Sequence, residues 1–61
     1  MEKIGSLSAF DGKTTHLFEV YRGTGYALHL DGRLVQANMT HTCAISLIEK
    51  MCKERGWSRK Y

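Results

Sequence analysis

The stretch that decides the fold is YALHLDGRLVQA, residues 26–37, in which two alternating runs flank Asp31 and Gly32. Asp-Gly between such runs is typical of a two-residue hairpin turn, because a type I′ turn needs positive φ at both central residues. We therefore predict a β-hairpin of residues 26–30 and 33–37. Counting outward from the turn sets the cross-strand pairs as Leu30 with Arg33, His29 with Leu34, Leu28 with Val35, Ala27 with Gln36 and Tyr26 with Ala37.

A preceding strand, residues 16–22, reaches this hairpin through Gly23-Thr24-Gly25. A three-residue loop with glycine in the left-handed conformation is a common hairpin connection. It gathers the large apolar side chains on one face, whereas a four-residue loop would move Glu19 onto that face. We adopt the three-residue loop, and we expect one further strand over residues 4–10, joined through Asp11-Gly12. The loop sets three pairs, Arg22 with Tyr26, Val20 with Leu28 and Phe18 with Leu30.

A helix follows, with Thr40 or Thr42 as its N-cap and Gly56 at its left-handed C-terminal position. Its apolar side chains fall on one arc of about 160° when residues are placed 100° apart. The predicted fold is α+β: a three- or four-stranded antiparallel meander sheet with one C-terminal α-helix packed on one face. Residues 1–57 form the single domain, and residues 58–61 form a short basic tail. The expected core is Phe18, Val20, Tyr26, Leu28, Leu30, Val35 and Ala37 against Ala44, Ile48 and Met51.

One helix covers only one face of the sheet, so the opposite face stays open. At 61 residues and 43% hydrophobic composition the core is small, and a chain of this size gains stability by associating. We therefore expect a small non-enzymatic binding or regulatory module that uses the open face to contact a protein partner or a second copy. The predicted protein-binding residues are Leu17, Glu19, Tyr21, His29, Leu34 and Gln36, with Ala27 on the same face.

The alternative is nucleic-acid binding. Nine Lys and Arg against six Asp and Glu give a net charge of +3, and basic residues concentrate near the C-terminus with Trp57 and Tyr61 among them. Cations meet phosphates and aromatic rings stack on bases, but lysines near a helix C-terminus also interact favourably with the helix dipole. The residues predicted for this alternative are Arg22, Arg33, Lys50, Lys53, Arg55, Trp57, Arg59 and Lys60.

Other chemistry has little support in the sequence. Glu19 and His29 face one another across strands, yet no nucleophile accompanies them, so we predict no enzyme, no catalytic residue and no small-molecule substrate. No Cys-x-x-Cys or His-x-x-x-His spacing occurs, so we predict no metal and no cofactor. The glycines of residues 23–25 do not form a phosphate-binding loop, because they lead into a strand.

The compartment follows from the cysteines and from hydropathy. Cys43 and Cys52 lie nine positions apart on the predicted helix, about 13 Å, which is too far for a disulfide. Two free thiols favour a reducing compartment. No apolar run approaches the ~20 residues of a membrane span, and no signal-peptide pattern is visible. We expect a cytoplasmic protein that does not contact membranes.

Overall fold

A computed structural model describes residues 2–60 of the chain. Its five strands form one antiparallel sheet in the order β4-β3-β2-β1-β5. The meander of β1 to β4 with the helix that follows confirms the predicted α+β fold. Within residues 2–60 no helix is long and apolar enough to cross a membrane. The elements are β1 (Glu2–Phe10), β2 (Thr15–Arg22), β3 (Tyr26–Leu30), β4 (Arg33–Met39), α1 (His41–Arg55) and β5 (Ser58–Lys60).

The short strand β5 occupies residues that the sequence analysis assigned to a basic tail. Ser58 lies opposite Phe10 and Lys60 opposite Ser8, so the chain that leaves the helix returns to the outer edge of β1. Tyr61, also part of the predicted tail, lies outside the described residues. The sheet thus gains a fifth strand beyond the predicted three or four.

The register between β2 and β3 is the predicted one. Val20 lies opposite Leu28 and Phe18 opposite Leu30, and the Gly23 N–H donates to the Gly25 carbonyl at 2.9 Å across the three-residue loop. On the other side of β2, β1 pairs along its whole length with one irregularity at Ile4. These registers align the alternating faces of three strands.

The register between β3 and β4 agrees with the prediction only near the turn. Leu30 faces Arg33 and His29 faces Leu34, but Leu28 then faces Gln36 instead of Val35. Tyr26 faces Met39 instead of Ala37, so β4 has slipped twice relative to β3. The second slip lies at Asn38, which has φ 58°. The Asn38 Cα packs closely against Gly25: a Cβ added to Gly25 would lie only 3.2 Å from it.

These slips correct two predictions about side chains. Gln36 points to the helix side of the sheet, where it lines a groove with Met39 and Leu47, and not to the open face. Val35 is 38% exposed and does not join the core, and Ala37 is only partly buried. Met39 takes the place predicted for them, at 8% exposure.

The helix begins and ends on local signals. Thr40 is the N-cap: its Oγ1 accepts from the Cys43 N–H at 3.1 Å. At the other end Gly56 has φ 70°, and the Trp57 N–H donates to the Cys52 carbonyl at 2.8 Å, while the Gly56 N–H donates to the Lys53 carbonyl. This Schellman arrangement turns the chain back toward the sheet and places Trp57 against it.

The core lies between α1 and the helix side of β1, β2 and β3, with Met39 at the end of β4. Phe18 and Leu28 are its largest fully buried side chains. Cys52 is buried where Met51 was predicted, and Met51 packs at the border of the core. The core residues are Ala9, Phe18, Val20, Leu28, Met39, Ala44, Ile48 and Cys52.

Candidate interaction surfaces

The open face of the sheet carries five of the six residues predicted for protein binding. Cross-strand pairing places Glu19, His29 and Leu34 in one row, with Leu17 and Tyr21 on either side of Glu19 along β2. Gln36 is the exception, because of the slip in β4. We use the name open-face row for this cross-strand row together with its two neighbours on β2, that is, for Leu17, Glu19, Tyr21, His29 and Leu34.

Two of the five exposed large apolar side chains of the described residues are the leucines of the row, and the other three are Ile4, Val35 and Ile45. Leu34 is 58% exposed and Leu17 is 39% exposed. Next to Leu34, the His29 ring meets the Tyr21 ring edge to face, with centroids 4.7 Å apart. Aromatic pairs of this geometry are ordered, so the middle of the face presents a preformed surface.

The open face carries one ion pair and one buried nitrogen that has no hydrogen-bond partner. The Lys3 ammonium lies 3.3 Å from a carboxylate oxygen of Glu19. The Nδ1 atom of His29 is buried without a hydrogen-bond partner. Glu19 and His29 are cross-strand neighbours, as predicted, but the structure pairs Glu19 with Lys3 and His29 with Tyr21.

A second cluster, which the sequence analysis missed, lies at the end of the sheet that holds the β1–β2 and β3–β4 turns. The two ring nitrogens of His16 lie 2.7 Å from Asp31 Oδ2 and 2.8 Å from Asp11 Oδ2. Only the imidazolium can donate from both nitrogens to carboxylates, so the geometry fits the charged form. Both aspartates were visible in the sequence as turn residues, but nothing local indicated that they share one histidine.

The pKa values of this cluster follow from its hydrogen bonds. The bonds to Asp31 and then Asp11 raise the pKa of His16. The pKa of Asp11 falls to about 2, first because the Thr14 N–H donates to it and then because His16 does. The bond from His16, with that from the Leu17 N–H, lowers the pKa of Asp31.

Trp57 packs on this cluster and is not a free stacking platform. The His16 ring stacks on the indole at 4.1 Å with an interplanar angle of 3°. The Arg55 guanidinium lies over the indole, 5.1 Å from the ring centroid, and Phe18 meets it at 6.1 Å. The π-surface that the alternative assigned to bases is therefore already in contact with protein groups.

An open groove of about 460 Å³ runs between α1 and β5 beside Trp57. Lys50 and Lys53 come from the helix, and Arg59 comes from β5, where it lies opposite Ala9 on the helix side of the sheet. Arg59 lies 3.8 Å from a carboxylate oxygen of Glu49, whose side chain is 57% exposed. Cys52 lines the buried side of the groove. Burial raises the pKa of its thiol, and the nearby Arg59 charge lowers that pKa by a smaller amount. We call Lys50, Lys53 and Arg59 the basic groove.

The residues predicted for nucleic-acid binding do not all lie on one surface of the structure. Arg33 follows the turn residue Asp31, at the same end as Trp57 and Arg55. Arg22 lies at the opposite end of β2 and is 2.9 Å from a Glu2 oxygen. The side chain of Lys60 lies outside the described part of the chain. Among the residues that the structure describes, no three His, Cys, Asp or Glu side chains are placed to hold a metal ion.

No protein-family model, no curated protein and no solved structure matches the chain.

Proposed function

We propose that the chain is a small non-enzymatic interaction module that associates with a second copy of itself through the open-face row. The observation that supports this most directly is Leu34, an apolar side chain 58% exposed on the open face of the edge strand β4. Leu17 at 39% exposure extends the apolar surface along β2. Exposed apolar surface that lies together on a folded domain is a common mark of an interface.

The charges of this face favour a second copy over an acidic or basic partner. Lys3 and Glu19 form one pair of opposite charges on it. A two-fold dimer brings the same surface of each subunit together, so a face must be complementary to itself. A face whose ion pair sums to zero meets that condition, because Lys3 of one copy can approach Glu19 of the other.

The size of the chain adds a thermodynamic reason. A domain near 60 residues buries only about 60% of the surface of its unfolded chain. Dimerisation covers more apolar surface and makes stability depend on protein concentration. Burying the exposed part of Leu34 in both subunits contributes about 2–3 kcal/mol to association.

Sedimentation equilibrium of the wild type and of Leu34→Glu tests this proposal. We expect a wild-type dimer, and a variant that keeps its circular dichroism spectrum but associates at least ~30-fold more weakly. Ile45→Glu is the matched control, because Ile45 is 39% exposed on the helix, away from the open face. It should leave the dimer intact.

Three results would overturn the proposal: a monomeric wild type at high micromolar concentration, a Leu34→Glu dimer, or dissociation by Ile45→Glu alone. If Leu34→Glu unfolds, Leu17→Glu applies the same charge to the same face at a different strand. A folded and fully dimeric Leu17→Glu would then count against the open face.

A further inference from the structure

We propose that the basic groove binds the phosphodiester backbone of duplex DNA, by a surface separate from the open-face row. Lys50, Lys53 and Arg59 line one open groove of about 460 Å³ beside Trp57. The helix dipole gives a reason for Lys53, in the last turn of α1, without any ligand. Lys50 lies before the last turn, and Arg59 comes from a different element, β5. Cations from two elements around one groove are typical of an anion site.

The distribution of charge over the molecule supports this location. Of the eight Lys and Arg side chains that the structure describes, Lys3 and Arg22 lie at or near the end of the sheet opposite the His16 cluster, each within 4 Å of a glutamate. The other six follow the turns or the helix end that meet at Trp57. Four acidic residues, Asp11, Asp31, Glu49 and Glu54, lie at that end too, so its six cations leave a charge of +2, whereas Lys3, Arg22, Glu2 and Glu19 sum to zero. The six cations are Lys13, Arg33, Lys50, Lys53, Arg55 and Arg59.

The contacts of Trp57 select duplex over single-stranded nucleic acid. Proteins that bind single strands stack bases on aromatic rings, and His16 and Arg55 already contact this indole. The groove instead provides cations that can contact phosphates, and phosphate contacts are the sequence-independent part of DNA binding. Glu49 opposes it, although an exposed ion pair at 3.8 Å contributes little.

Counterion release gives the expected size of the effect. Three phosphate contacts predict that log affinity falls with log salt with a slope of about −2.7, so raising salt from about 50 to about 200 mM weakens binding about 40-fold. Losing two of the three contacts reduces the slope to about −0.9 and the affinity at about 50 mM by about two orders of magnitude.

Fluorescence anisotropy with a labelled 20-base-pair DNA duplex tests the inference, with Lys50→Gln/Lys53→Gln as the groove variant. The matched control is Lys13→Gln/Arg22→Gln, which removes the same charge from outside the groove and leaves the Lys3–Glu19 pair of the open face in place. We expect the groove variant to lose affinity and salt slope as calculated, and the control to stay within about threefold of the wild type. Glu49→Gln should bind more tightly.

Each opposite outcome overturns the inference. Equal losses in the two double variants would mean attraction by net charge alone, and tighter binding of the matching single strand would mean stacking. Competition by millimolar inorganic phosphate would mean a site for the free ion, and preference for anionic lipid vesicles would mean a membrane surface. Adding Leu34→Glu separates this surface from the proposed dimer, because the monomer keeps its groove and should still bind DNA.

Discussion

Leu28→Ala is the substitution whose effect the structure sets most clearly. Leu28 is fully buried on β3 between β2 and β4, on the side that α1 covers. Removing a buried leucine side chain costs about 2–5 kcal/mol, because transfer free energy is lost and a cavity is left. A chain of this length has a total unfolding free energy of about 3–9 kcal/mol. We therefore expect Leu28→Ala to remove roughly half of the stability.

Leu34→Ala is the matched control, since the same atoms are removed from a side chain that is 58% exposed. In the monomer it should change the unfolding free energy by no more than about 0.5 kcal/mol. Urea unfolding followed by circular dichroism, at a concentration where the wild type is monomeric, measures both. With a slope near 1–1.5 kcal/mol per molar, Leu28→Ala should lower the midpoint by about 2 M or more. Equal costs for the two leucines would refute the assignment of the two sheet faces.

Two further predictions concern titratable groups. Because the folded-state pKa of His16 is raised, its contribution to stability is complete below about pH 6.5 and is lost as pH rises through the raised value. Thermal unfolding between pH 5 and 9 should show this loss in the wild type and a flatter profile in His16→Gln; identical profiles would contradict the imidazolium bridge. Of the two thiols, Cys43 is exposed and Cys52 is buried with a raised pKa. A thiol reagent should therefore modify one cysteine rapidly in the folded protein and the second only on unfolding, and Cys43→Ser should abolish the rapid phase; two rapid thiols would contradict the burial of Cys52.

The parts of the fold that the sequence predicted are those that short-range rules decide. The Asp31-Gly32 turn, the three-residue loop at Gly25 and the helix from Thr40 to Gly56 each depend on residues a few positions apart. Together with the alternation along β2 and β3 they establish the α+β class and the open-face row. Five of the six predicted residues lie on that face for this reason.

The misplaced residues share a different cause. The position of β4 depends on what packs against it: Asn38 meets Gly25, and Met39 fills the space beside the helix. That competition inserts extra residues into β4, and since side chains alternate with a period of two, each slip reverses the faces of the residues beyond it. Gln36 and Val35 could not have been placed from their own neighbours in sequence.

The sequence alone therefore determined β1 to β4 and the helix, the order of the meander and the side of the sheet that the helix leaves open. Only the tertiary structure decided that residues 58–60 pair with β1, that His16 links the aspartates of two distant turns beneath Trp57, and that Arg59 joins Lys50 and Lys53 around one groove. The first two join segments well separated along the chain, and the third arises because β5 turns back beside the helix that it follows. Their formation depends on the packing of the whole domain, whereas turns, caps and alternation are settled by the energies of neighbouring residues.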